Sequence, residues 1–99
     1  MDHGLVQLRI IVTIPSALRS YTKNNSEIGL VASTLEEVLM KLNKRFPGFW
    51  SLLVDEDGSL RKYVNIFVNE NDIRNKTGLA TTLKDGDRVR IVPSVAGGV

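Results

Sequence analysis

The sequence predicts an α+β domain in which one main helix covers a mixed sheet of four to five strands. Three observations carry that expectation. Residues 5–14 alternate with a period of two, and shorter strand-like runs recur near 27–32, 63–69 and 88–92. One segment, 33–46, has helical spacing and a start signal. Turn residues separate these runs, and a helix with one apolar stripe must cover a sheet with one apolar face.

The first strand is expected over Leu5–Ile14. Val6, Leu8, Ile10, Val12 and Ile14 alternate with Gln7, Arg9, Ile11 and Thr13, and β-branched residues are frequent. Pro15 ends it, because proline donates no ladder hydrogen bond. A polar loop is expected over Ser16–Ser26, then a short strand over Glu27–Ala32.

The helix has two overlapping start signals, Ser33 with Glu36 and Thr34 with Glu37. Leu35, Val38, Leu39, Leu42 and Phe46 form its apolar stripe. Lys41, Lys44 and Arg45 sit late, where positive charge complements the helix dipole. Pro47-Gly48 stops it. An apolar connection follows, Phe49 to Val54, with room for one helical turn; Phe49 and Trp50 are expected to close the core edge. The loop at Asp55-Glu56-Asp57-Gly58 lacks the ligand spacing of a calcium loop. The third strand, Tyr63–Asn69, points Val64, Ile66 and Val68 one way and Asn65, Phe67 and Asn69 the other. A short strand is expected around Ile73, and Gly78–Leu83 reads as irregular. Lys84-Asp85-Gly86-Asp87 is a turn, and Arg88–Val92 is the last strand, ended by Pro93.

Ninety-nine residues make one small domain with one thin core. Hydrophobic residues at 42% and charged residues at 24% exclude wholesale disorder. The absence of cysteine excludes disulfide scaffolds, cysteine zinc sites and thiol nucleophiles. Thirteen basic against eleven acidic residues leave +2, with a pI of 9.2. The basic residues are scattered in singles and pairs, so no nucleic-acid footprint is expected. No apolar run approaches the roughly 20 residues that span a bilayer. The first residues do not read as a secretory leader, so a cytoplasmic location without a membrane partner is expected. His3 has no ligand cluster, and no metal site is expected.

Four stretches carry a family resemblance: Pro15-Ser16-Ala17-Leu18-Arg19, Thr34-Leu35-Glu36-Glu37-Val38-Leu39, Val64-Asn65-Ile66-Phe67-Val68-Asn69 and Leu83-Lys84-Asp85-Gly86-Asp87. The run Ile91-Val92-Pro93-Ser94-Val95-Ala96-Gly97-Gly98 adds a fifth. Together they resemble the sulfur-carrier branch of the ubiquitin-like β-grasp fold. That branch includes the small subunit of molybdopterin synthase and the thiamin sulfur carrier, and the small archaeal modifier proteins share the pattern. The resemblance implies a β-grasp domain over residues 1–93 and a flexible Gly-Gly tail over residues 94–99.

It also implies the chemistry. In that family a ubiquitin-activating-type enzyme adenylates the C-terminal glycine carboxylate with ATP and magnesium. The product becomes a thiocarboxylate, or an isopeptide on a lysine of a target protein. The chain itself then binds no cofactor, is not an enzyme, and acts as a monomer. Its implied partners are the activating enzyme, the large subunit of molybdopterin synthase and target-protein lysines. Carrier and modifier both stay open.

The residues are consistent with that chemistry. A carboxylate is a poor electrophile until its oxygen becomes a leaving group, so a partner must supply the activation. Glycines let a backbone thread a narrow site. Five or six extended residues after the sheet reach about 16–20 Å. Val99 departs from the pattern, since a β-branched residue crowds the reacting carbon. A peptidase is therefore expected to remove Val99 and expose the Gly98 carboxylate.

The β-grasp order would place the first strand beside the last, with the third next. Ile11, Phe67 and Val92 would then form an apolar patch rimmed by Arg9 and Arg90, the kind of surface that suits partner docking. The resembling family uses this face for its activating enzyme. The alternative is a non-covalent binding module that docks through this face with an idle tail.

Overall fold

The computed structural model describes residues 9–73 and 77–93. Alternation over the first described residues produces β1, Arg9–Thr13, with Ile10 and Val12 fully buried. The expected residues 5–8 of this strand lie outside the described residues. Ile14 is past the strand yet buried, and its N–H donates to the Ser26 carbonyl at 2.8 Å.

The segment read as a polar loop is instead a 3₁₀ helix over Ser16–Thr22. Thr22 explains the order. It is fully buried, and its hydroxyl lies 3.3 Å from the Arg19 carbonyl and 3.0 Å from that of Asn25. The Arg19 guanidinium donates to the Ile14 carbonyl at 3.1 Å. Lys23 and Asn24, both at positive φ, end the turn before β2, Glu27–Val31.

Helix α1 is Leu35–Arg45. Of the two start signals, Thr34 with Glu37 forms the cap. The Thr34 hydroxyl accepts from the Glu37 N–H at 3.2 Å, and the Glu37 carboxylate accepts from the Ser33 N–H at 2.8 Å and the Ser33 hydroxyl at 3.0 Å. These bonds hold the exposed Glu37 carboxyl below its ordinary value; the main-chain bond from Ser33 contributes most, and Lys41 adds attraction. Gly48, at φ 96°, turns the chain into α2, Phe49–Leu53. The Asn43 side-chain oxygen accepts from the N–H groups of Gly48 and Trp50 at 3.1 and 2.9 Å, which secures the turn between the two helices. Phe49 is fully buried and Trp50 packs at the core margin.

Strand β3 is Val64–Val68, and Asn69 turns at φ 60°. The next strand, β4, is Asn71–Asp72; Ile73 follows it as a buried core residue rather than as the strand's centre. A 3₁₀ turn occupies Gly78–Ala80 within the stretch read as irregular. Strand β5 is Arg88–Pro93.

The five strands form one sheet ordered β2-β1-β5-β3-β4. β1 and β5 run parallel, and the other pairs are antiparallel. A parallel pair needs a crossover, and here everything from β2 to β4 supplies it. Leu35, Val38, Leu39 and Leu42 of α1 join Ile10, Val12, Ile66, Val89 and Ile91 in one core cluster. The helices therefore cover one face of the sheet. The other face carries no element among the described residues.

Candidate functional site

The uncovered face follows from strand periodicity. With Ile10, Val12, Ile66, Val89 and Ile91 inward, the alternate residues point outward. They are Arg9, Ile11 and Thr13 on β1, Arg88, Arg90 and Val92 on β5, and Asn65 and Phe67 on β3.

Register arranges them in rows. Thr13 faces Arg90, which faces Phe67, which faces Asp72 of β4. Val92 faces Asn65 in the next row toward the end of β5. In the row on the other side, Ile11 lies between Gly29 of β2 and Arg88. Arg9 faces Val31 in the row beyond.

This placement corrects the single apolar patch. Phe67 and Val92 are diagonal neighbours, but Ile11 is two strands away from Phe67. Two strand spacings are about 10 Å, and Arg88 and Arg90 occupy the strand between them. The arginines cross the face instead of rimming it. Two apolar spots result, Phe67 with Val92 and Ile11 with Val31.

The Arg90 guanidinium lies 4.9 Å from the centre of the Phe67 ring. Arg88 reaches back across β1 to Glu27 at 3.4 Å. Both of those side chains are more than half exposed, so the pair adds little to stability. Acidic residues therefore stand on the outer strands, Glu27 and Asp72, and arginines on the central ones.

The start of β5 is fixed by a dense turn. Gly86, at φ 89°, donates to the Arg9 carbonyl at 2.9 Å, and the Arg9 N–H donates to the Asp85 carboxylate at 2.9 Å. The Asp87 carboxylate accepts from the Lys84 N–H and the Asn69 amide at 2.8 and 3.0 Å. The Asn69 side-chain oxygen accepts from the Arg88 N–H at 3.0 Å. These bonds tie β1, β3 and β5 together at the end opposite Pro93. At that other end Pro93 faces Val64. Gly97, Gly98 and Val99 lie outside the described residues.

The acidic loop is organised by its own backbone. The Asp57 carboxylate accepts from the Ser59 N–H at 3.0 Å, which holds it below its ordinary range. Asp55 pairs with Arg61 at 2.9 Å. Among the described residues, no group of three or more His, Cys, Asp or Glu is placed to hold a metal. No helix among them is long and apolar enough to cross a membrane.

The sequence reading missed Gly29, Val31 and Glu27 as members of this face. Their signal was present in the two-residue spacing of the second strand.

Residues 12–98 match the ThiS family. The chain is 39% identical over 93 residues to the sulfur carrier protein CysO of Mycobacterium tuberculosis, covering 92% of this chain and 100% of that one. It is 38% identical over 66 residues to small archaeal modifier protein 3 of Haloferax volcanii, covering 67% and 71%. Among solved structures, the Amycolatopsis orientalis BexX/CysO complex holds a chain that superposes with a TM-score of 0.84 at 35% identity, covering 90% of this chain and 99% of that one.

Proposed function

The chain belongs to the ThiS family of ubiquitin-like sulfur carriers, and from that premise we propose that it is a carrier whose Gly98 carboxylate is activated by an adenylating enzyme. One observation supports this most. The central strand β5 runs along an uncovered, arginine-bearing face and ends at Pro93, within five residues of Gly98. A partner seated on that face has the Gly-Gly segment within reach of its nucleotide site. The CysO relative assembled with BexX supports a protein partner for this kind of domain.

A peptidase hydrolyses the Gly98–Val99 bond and frees the Gly98 carboxylate. A carboxylate oxygen attacks the α-phosphorus of ATP, magnesium neutralising the phosphates, and pyrophosphate leaves. The acyl adenylate has AMP as its leaving group. Hydrosulfide attacks the acyl carbon and displaces AMP, and loss of the S–H proton leaves a thiocarboxylate on Gly98. A lysine amine attacking the same carbon releases AMP and leaves an isopeptide. The similarity to small archaeal modifier protein 3 favours keeping this second outcome beside the first.

Phe67, Val92, Arg90, Ile11 and Arg9 are the residues proposed to meet the enzyme. Incubating the chain with its host's peptidase and adenylating enzyme, ATP, magnesium and a sulfide source tests the reading. Intact mass is expected to show loss of Val99 and replacement of one oxygen by sulfur. Added lysine-containing protein shows branched adducts if modification occurs. A chain that retains Val99 and still carries sulfur removes the processing step. A chain that works equally well without Gly97, Gly98 and Val99 is a binding module instead.

A further inference from the structure

The uncovered face has a notch that the core does not require. Glu27, Gly29 and Val31 share the outward side of β2. Glycine inside a strand weakens it and marks places where another group approaches closely. Nothing in the fold demands glycine here: a Cβ at Gly29 would meet no atom within 4 Å, and its φ is not in the left-handed region. The space above it opens into a groove of about 510 Å³ whose lining includes Ile11, Val31, Arg9, Asp85 and Gly86. Val31, on its wall, is 41% exposed.

The charges beside the groove differ from those elsewhere on the face. Arg88 is paired with Glu27, and Arg90 lies over Phe67. Arg9 makes no ion pair among the described residues. The Asp85 carboxylate on the same lining is engaged by the Arg9 main-chain N–H, so an apolar floor beside a guanidinium unpaired among the described residues fits a bulky apolar side chain neighboured by a carboxylate.

We propose that the Gly29 notch receives one apolar side chain of the adenylating enzyme, with a carboxylate of that enzyme on Arg9. This rests on the reading of the face as that enzyme's docking surface and extends it. Gly29 lies three strands from Phe67, about 14 Å, and one row away. A single interface of ordinary size covers both. The partner thus grips two apolar spots on either side of the arginine rows, and the notch at β2 tells a cognate carrier from one with a larger residue there.

The test uses ATP–pyrophosphate exchange by the host's adenylating enzyme on the chain from which Val99 has been removed. Gly29→Val fills the notch and favours the strand, so the melting temperature should not fall. The KM for the carrier is expected to rise at least tenfold, with kcat within twofold of the parent. Arg9→Glu should raise KM in a salt-dependent way. If Gly29→Val fails to fold, Val31→Glu places a charge on the groove wall at an already exposed site and should raise KM likewise. A KM for Gly29→Val within twofold of the parent overturns the proposal. So does dimerisation of the parent chain that is lost in Gly29→Val while KM holds, which makes a second copy the occupant. Absence of exchange with the parent chain ending at Gly98 refutes the carrier reading, and the notch's assignment falls with it.

Discussion

Phe67→Ala separates docking from folding at the centre of the uncovered face. The ring is half-buried, and its main described contact across the face is the Arg90 guanidinium at 4.9 Å. Losing that contact, and the roughly 100–150 Å² of ring that its neighbours cover, costs the fold about 3 kcal/mol, which lowers the melting temperature of a domain this size by roughly 12–24 °C. Docking acts on the part of the ring that is still open. An aromatic side chain presents about 200 Å², and if roughly a quarter of it is still open, docking covers ~50 Å². At about 25 cal/mol per Å² that is ~1.3 kcal/mol, close to a tenfold change in affinity. The expected outcome is therefore a folded variant, a KM for the carrier raised by about tenfold, and an unchanged kcat, read by pyrophosphate exchange alongside thermal melting. A variant without a cooperative melt would show that Phe67 holds the core together. An unchanged KM would show that the ring stands outside the enzyme's footprint.

Three further outcomes follow from the same structure. Thr34→Ala removes the hydroxyl that accepts from Glu37 and should destabilise the domain by about 1 kcal/mol, measured by urea denaturation. Leu39→Ala opens the centre of the α1–sheet contact, where the side chain is fully buried, and should cost about 2–5 kcal/mol; a cost below 1 kcal/mol would contradict that packing. Glu37 has a folded pKa below its ordinary value of 4.5. Its contribution is thus complete above that value and disappears as pH falls through the lower folded one. Stability measured from pH 6 down to pH 2 should fall less steeply in Glu37→Gln than in the parent.

The face and the core arise from the same alternation, so substitutions on one can be read against the other. In β5, Val89 and Ile91 are buried while Arg88 and Arg90 are exposed. A one-residue slip of that strand would put guanidinium groups into the core. The Asp85–Asp87 turn and the Asn69 bonds to Asp87 and Arg88 oppose such a slip.

Local sequence determined the elements whose cause is local. Alternation in β1, β3 and β5, the apolar stripe of α1 and the Gly86 turn were all legible, because periodicity and positive φ depend on neighbours in the chain. Residues 16–22 were not legible as a helical turn, and 49–53 were legible only as a connection with room for one. Their order comes from a buried Thr22 hydroxyl and from Asn43 reaching across a turn, bonds that exist only once the chain has packed. The choice between two capping signals was likewise settled by where Ser33 lies, held by Leu83 through a backbone bond of 2.9 Å. For the candidate site, the sequence alone named the residue types and, through alternation, their common side. Tertiary structure decided their neighbours. Pairing β1 with β5 set arginines between Ile11 and Phe67 and left Gly29 open beside Ile11, because strand register is a property of two chain segments together and neither encodes it by itself.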